Sequence, residues 1–447
     1  MEKLEFPDGF VWGAATASFQ VEGAAHEGGR SESIWDVFCR RPGAVYAGEN
    51  GDVACDHYHR YKEDIALMAE LGFQSYRFSI AWPRILPGMT PDAGTGAVSK
   101  EGVAYYRSLC EELHARGMSA TATIYHWDLP QALQDRGGWA ERFIVDAFEA
   151  YAQVCFAELG DMVDRWITLN EPYCSAWLGY DEGVHAPGIR DLDQAVRAVH
   201  HLNLAHGRAV RAYRQTGLAA PIGITWNPQT PRSATAREAD RKAALTARAV
   251  ETDVFIYPVL GRGYPEIVTK ELGFSFPVKD GDMDIIAEKI DFIGVNYYTE
   301  NPVAFDPAAR FKYRVQPSWE DVSAMGWYTV PEGFERQLRW LASLSGGIPL
   351  FITENGYARD DRPDPSGRVH DRERIDYTRR HLAVCSRLIR EGIAIKGYYA
   401  WSFLDNFEWA YGYSKRFGIV YVDYATQKRY PKDSAYFFRD LIALTGA

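Results

Sequence analysis

Residues 144–172 read IVDAFEAYAQVCFAELGDMVDRWITLNEP, and their pattern decides the architecture of the whole chain. Apolar side chains at Ile144, Phe148, Tyr151, Ala152, Cys155 and Leu159 recur at three- and four-residue steps, and Gly160 supplies a stop. That spacing is one buried face of a helix. The chain then turns to a short run, Trp-Ile-Thr-Leu at 166–169, which ends in Asn170-Glu171-Pro172. A run this apolar suits a strand covered on both faces, as in a parallel sheet.

The same unit recurs outward in both directions. Apolar or β-branched runs lie at 11–18, 75–80, 120–125, 166–169, 222–226, 292–298, 350–353 and 395–403. Longer helix-patterned segments separate them. One carries Tyr377, His381, Leu382, Cys385, Leu388 and Ile389, and Gly392 closes it just before the eighth run. Eight alternations of strand and helix predict an α/β fold of one closed (β/α)8 TIM barrel more naturally than an open doubly wound sheet. No G-x-G-x-x-G follows the first run, which counts against a dinucleotide fold. No repeat or low-complexity linker divides the chain, so residues 1–447 are expected to form a single barrel domain. Stretches 302–332 and 359–371, rich in Pro, Asp and Arg, read as surface loops over one barrel face.

Polar residues at the C-terminal ends of such strands point into the mouth of the barrel. Those ends carry Gln20 and Glu22, Arg77, His126-Trp127-Asp128, Asn170-Glu171, Asn296-Tyr297-Tyr298, Glu354-Asn355 and Trp401. Glu171 and Glu354 occupy equivalent ends of the fourth and seventh runs. Two carboxylates converging in a partly dry, aromatic-lined mouth cost desolvation and repulsion, so folding alone gives no reason for them. Glycoside hydrolysis uses such a pair, and indole rings suit the apolar faces of sugars. Most of the thirteen Trp are expected to be core, with Trp127, Trp401 and Trp409 near the strand ends.

The motifs FPDGFVWGAATASFQVEG (6–23), YHWDLP (125–130), TLNEP (168–172), VNYY (295–298), ITENG (352–356) and YVDYATQKRYPK (421–432) run in register along the chain. Together they resemble glycoside hydrolase family 1, the β-glucosidase and 6-phospho-β-glycosidase family, over nearly the full length. The resemblance implies that Glu171 is the acid/base and Glu354 the nucleophile of a retaining mechanism on terminal β-glucosyl residues, with β-galactosyl and β-fucosyl groups also accepted. It implies that Gln20, His126, Asn170 and Glu408 bind sugar hydroxyls and that Trp401 is the platform beneath the sugar. Trp127 and Trp409 then stand in the ligand site, Arg77, Asn296 and Tyr298 hold or tune the nucleophile, and Phe417 and Trp327 line the pocket or its entrance. The charge of Glu354 is expected to raise Glu171 by repulsion, Arg77 to hold Glu354 ionised, and the carboxyls to stand roughly 5–5.5 Å apart.

Two further branches are weighed. In the phospho-glycosidases the position of Glu408 is a Ser, and a Lys and a Tyr complete the phosphate site. Here only Lys415 is present, beside Glu408 and Phe417, so free glucosides are the expected substrates. A non-catalytic sugar-binding relative would usually lack one carboxylate, and both are present.

Composition narrows the partners. With 49 basic and 60 acidic residues the net charge is −11, which argues against nucleic acid or an anionic membrane as partner. No run reaches the length of a membrane span, and residues 1–10 lack the pattern of a secretory signal. Six scattered Cys read as reduced thiols of a cytoplasmic protein. Small-molecule β-glucosides or cello-oligosaccharides are the expected partners, and a homo-oligomer is compatible with the sequence. No cofactor and no metal is expected: His57 and His59 have H-x-H spacing but open a helix-like stretch, and His200, His201 and His206 read as a helix's polar face.

Overall fold

The computed structural model describes residues 4–90, 96–316 and 321–445. All eight predicted runs become strands: β1 (Val11–Ala15), β2 (Ser75–Ser79), β3 (Ser119–Tyr125), β4 (Arg165–Asn170), β5 (Ile222–Trp226), β6 (Phe292–Tyr297), β7 (Leu350–Asn355) and β8 (Ile395–Trp401). Each pairs in parallel with its neighbours in chain order, and β8 returns to β1, with Ala15 opposite Trp401, to close a (β/α)8 TIM barrel. Helices Phe143–Leu159, Leu192–Thr216 and Arg372–Arg390 belong to the outer layer.

Both faces of each strand are covered, which explains the continuous apolar runs. In β2 the side chains of Tyr76 and Phe78 point outward, and Phe78 stacks on Tyr106 of helix Lys100–Ala115. Ser75 and Arg77 alternate with them and point inward. At the barrel's lower end Tyr399 accepts from Arg165 at 3.1 Å and shares its hydroxyl with Ser75 and Thr121, each at 2.9 Å. Gly13 faces the Tyr399 ring so closely that a Cβ there would overlap it. Gly160 ends helix Phe143–Leu159 for a related reason: its φ is an ordinary −64°, but a Cβ would strike Leu218 and the Phe156 carbonyl.

The strand ends differ from the sequence pattern where polar chemistry takes over. The first run leaves β1 at Ala15, because the Ser18 N–H is captured by Ser79 Oγ at 2.7 Å and its hydroxyl donates to Asp128 at 2.9 Å. The chain then makes one helical turn, Ser18–Val21, which carries Gln20. β4 and β7 run further than their apolar cores, to Asn170 and Asn355. Register shifts interrupt both, one between Ile167 and Asn170 against β5 and one beyond Val295 against β6. The second sets Glu354 opposite Asn296. Bulges at a barrel rim re-aim the side chains that follow them.

The stretch 302–332 does lie outside the barrel strands and includes an antiparallel hairpin of Val303–Phe305 and Tyr313–Val315, while 317–320 lie outside the described residues. The stretch 359–371 is not a plain surface loop. Asp361 and Asp371 are buried, as are Arg374, Asp405 and Lys432 with which they form an ion network. Lys432 Nζ donates to Asp361 at 2.6 Å and to Asp405 at 2.7 Å. Nor do the three histidines form a polar face. His200, His201 and His206 are buried and bonded to Asp282, the Trp139 carbonyl and Thr168. The six thiols are buried and unpaired. No helix among the described residues is long and apolar enough to cross a membrane.

Candidate active site

A cavity of about 560 Å³ opens at the C-terminal ends of the strands. Eleven of the fourteen residues to which the family resemblance gave a role line it: His126, Trp127, Glu171, Asn296, Tyr298, Trp327, Glu354, Trp401, Glu408, Trp409 and Phe417. Arg77, Asn170 and Gln20 stand directly behind that lining and are fully buried. Glu22, Asp128 and Asn355 are engaged elsewhere, with Arg84, Ser18 and the Tyr297 carbonyl.

The two carboxyls have different neighbours. Arg77 Nη1 donates to Glu354 Oε1 at 2.5 Å, and the Tyr298 hydroxyl donates to Oε2 at 2.6 Å. The second arm of Arg77 donates to Asn170 Oδ1 at 2.6 Å, so one guanidinium aligns β2, β4 and β7. Among the described residues no cation bonds to Glu171. Its Oε1 accepts from Asn296 Nδ2 at 2.6 Å and its Oε2 from the Cys174 thiol at 3.2 Å. The same amide donates to Asn170 Oδ1 at 3.1 Å, and Asn296 is the residue paired with Glu354 across the strands.

Burial is the largest influence on both acids. It lifts Glu171 to about 8, with the charge of Glu354 second. The repulsion expected from the sequence is therefore present but is not the main cause. Burial raises Glu354 as well, but Arg77 opposes it most strongly, with Tyr298 next. The carboxyl pair thus keeps its last proton on Glu171.

The opposite wall is built for a polar ligand. Glu408 is lifted to about 8 by burial and by the charges of Glu354 and Glu171, and its Oε2 has no hydrogen-bond partner among the described residues. Gln20 donates to Asn406 at 3.1 Å and to the Phe407 carbonyl at 2.8 Å, which anchors the segment holding Glu408, while its Oε1 is unpartnered. His126 is pushed well below its usual range by burial and by Arg77. That neutral ring meets Asn170 Nδ2 at 3.1 Å through Nε2 and leaves Nδ1 unpartnered. These three atoms can accept from or donate to hydroxyls of a ligand in the cavity.

Aromatic rings form the remainder. Trp401 stacks on His126, Trp409 on Phe19, and Tyr298, Trp327 and Phe417 pack against one another. Trp127, Glu171 and Trp409 adopt φ of 79°, 46° and 50°. Such left-handed conformations in bulky residues are costly and cluster at functional sites.

Lys415 is not in the lining. It is turned to the surface, where Nζ donates to the Ala324 carbonyl at 2.6 Å. Among the described residues no three His, Cys, Asp or Glu converge as a metal site. His57 pairs with Asp64, and His59 with Asp56 and Glu27. Cys174 and Asn227 also line the cavity and were not singled out in the sequence. The spacing of Cys174, three residues beyond Glu171 in a helical turn, is the one local signal that pointed to it.

Comparison with known proteins agrees with this geometry. The family profile of glycosyl hydrolase family 1 matches residues 2–447. β-Glucosidase A of Thermotoga maritima is 47% identical over 449 residues, covering 100% of this chain and 99% of the relative. The 1,4-β-D-glucan glucohydrolase of Thermotoga neapolitana is 44% identical, covering 99% of each. Among solved structures, the AHE enzyme of Alicyclobacillus herbarius superposes with a TM-score of 0.96 at 48% identity, over 100% of this chain and 99% of that one. The Thermotoga maritima β-glucosidase in complex with deoxynojirimycin gives 0.95 at 46%, over 100% of both.

Proposed function

The chain belongs to glycosyl hydrolase family 1, and from that premise we propose how its cavity performs the retaining β-glucosidase reaction. The terminal β-D-glucosyl group lies over Trp401, with its hydroxyls bonded by Glu408, Gln20, His126 and Asn170. The Glu354 carboxylate, held by Arg77 and Tyr298, attacks the anomeric carbon. The bond to the leaving oxygen breaks as Glu171 delivers its proton there. A covalent glucosyl ester on Glu354 remains, and its formation removes the charge that helped to raise Glu171. Glu171 then takes a proton from water as the water attacks the same carbon. Two inversions release β-glucose.

The observation that carries this reading is the division of donors. The cation and the phenol go to Glu354, and among the described residues an amide and a thiol are what bond Glu171. Replacing Glu354 with Gly should abolish hydrolysis, and added azide should restore cleavage with an α-glucosyl azide as product. Near-native activity in that variant would refute the assignment of the nucleophile.

Glu408 and Phe417 also support free glucosides over 6-phosphates. A phosphate dianion would meet an acidic carboxyl group and an arene with no cation beside them in the lining, and Lys415 is tied to Ala324 outside it. Cello-oligosaccharides are the proposed natural class, in line with the glucan glucohydrolase among the relatives. The proposed compartment is the cytoplasm, which suits six buried unpaired thiols.

A further inference from the structure

Glu171 and Cys174 are joined by one turn, in which the Cys174 N–H donates to the Glu171 carbonyl at 2.9 Å. The turn folds the thiol back over the carboxyl, and Sγ donates to Oε2 at 3.2 Å. From the far side Asn227 Nδ2 donates to the same sulfur at 3.7 Å. A thiol has one hydrogen to give, and its sulfur accepts weakly. With the Asn227 amide on the accepting side, the S–H is aimed at Glu171. Burial, and next the charge of Glu171, push the thiol well above its usual range. It stays protonated throughout the working pH range, a donor and not a nucleophile.

We propose that Cys174, oriented by Asn227, is a positioning residue for the general acid/base: its S–H fixes the rotation of the Glu171 carboxyl and favours its ionised form. The inference rests on Glu171 being the acid/base. The last torsion of a glutamate is broad, so a single donor leaves the carboxyl free to swing. Asn296 on Oε1 and Cys174 on Oε2 hold it from two sides. A donor to the ionised form lowers a carboxyl's pKa, so removing Cys174 raises Glu171 and a better donor lowers it.

The test measures kcat/KM against pH on phenyl β-glucoside for wild type, Cys174→Ala, Cys174→Ser and Asn227→Ala. The alkaline limb reports the acid in the free enzyme. Its midpoint should rise by about half a pH unit in Cys174→Ala and fall by a similar amount in Cys174→Ser. Asn227→Ala should rise by less than Cys174→Ala. Activity of Cys174→Ala should drop several-fold on an alkyl β-glucoside and stay within about twofold on the dinitrophenyl glucoside, which needs no proton. A packing or folding defect cannot move the Ala and Ser midpoints in opposite directions. Midpoints that stay with wild type, or move the same way, overturn the proposal. Glu171→Gln separates the two readings, since cleavage of the alkyl β-glucoside at the wild-type rate there refutes Glu171 as the acid itself.

Discussion

Replacing Glu354 with Gln removes one negative charge and nearly no volume, and it should make Glu171 a stronger acid without making it an ordinary one. Two causes lift Glu171 to about 8, and burial is the larger. Only the second, the charge of Glu354, is lost in the variant. At a carboxyl separation of roughly 5.5 Å and an effective dielectric of about 20, two unit charges repel by about 3 kcal/mol. At 1.36 kcal/mol per pH unit, the Glu171 midpoint should therefore drop by about 2 pH units. It should still titrate above a solvent-exposed glutamate, near 4.3, because the burial is unchanged. Carbon-13 NMR of protein labelled at the glutamate carboxyl would follow it, with Glu171→Gln assigning the signal. A midpoint that does not move would show that Glu354 carries no charge beside Glu171. A midpoint that falls to the exposed value would refute burial as the main cause. The same loss of charge occurs when the sugar esterifies Glu354, so the size of the drop is also the size of the change from acid to base between the two steps.

Three other outcomes follow from the same groups. A carboxyl whose folded pKa is raised holds its proton longer in the folded state than in the unfolded one, so it costs stability as pH climbs from the unfolded value near 4.3 to about 8. Glu171→Gln should accordingly raise Tm more at pH 9 than at pH 5 by calorimetry, and an equal change at both would refute the linkage. Lys432→Met leaves Asp361 and Asp405 buried with less compensation, a loss of about 3–5 kcal/mol and, for a chain of this size, a Tm lower by about 3–5 °C. Glu408→Ser removes a carboxyl group that can both donate to and accept from sugar hydroxyls and should cut kcat/KM on nitrophenyl β-glucoside by at least about tenfold; an unchanged value would remove Glu408 from the sugar site.

The strands were legible because burial on both faces leaves an unbroken apolar run, and β5 was readable to the residue at Ile222 and Trp226. Their ends were less so. Asn170 and Asn355 extend β4 and β7 although both are polar, since Asn170 bonds to Arg77 inside the barrel and Asn355 to Tyr398 on its outer side. Partners of this kind lie 93 and 43 positions away and leave no local pattern. The buried histidines show the same limit. His200 reads as a surface residue until Asp282 and Tyr264 are seen on its two nitrogens. Asp361 and Asp371 read as loop charges until Arg374 and Lys432 enclose them.

The division of labour between the carboxyls has the same origin. Glu171 and Glu354 each follow a Thr-containing apolar run at a strand end, and nothing in those runs says which will keep a proton. The distinction comes from other strands. β2 sends Arg77 to Glu354, the chain just past β6 adds Tyr298, and Asn296 within β6 turns its amide to Glu171. Closing the barrel brings these donors together, and the bulge between β6 and β7 sets Glu354 opposite Asn296. A cation can stabilise only the carboxylate, whereas a neutral amide tolerates either form, so the acid is the carboxyl that the cation does not bond. The roles are thus fixed by which donor reaches which oxygen, a property of the closed barrel that neither motif contains alone.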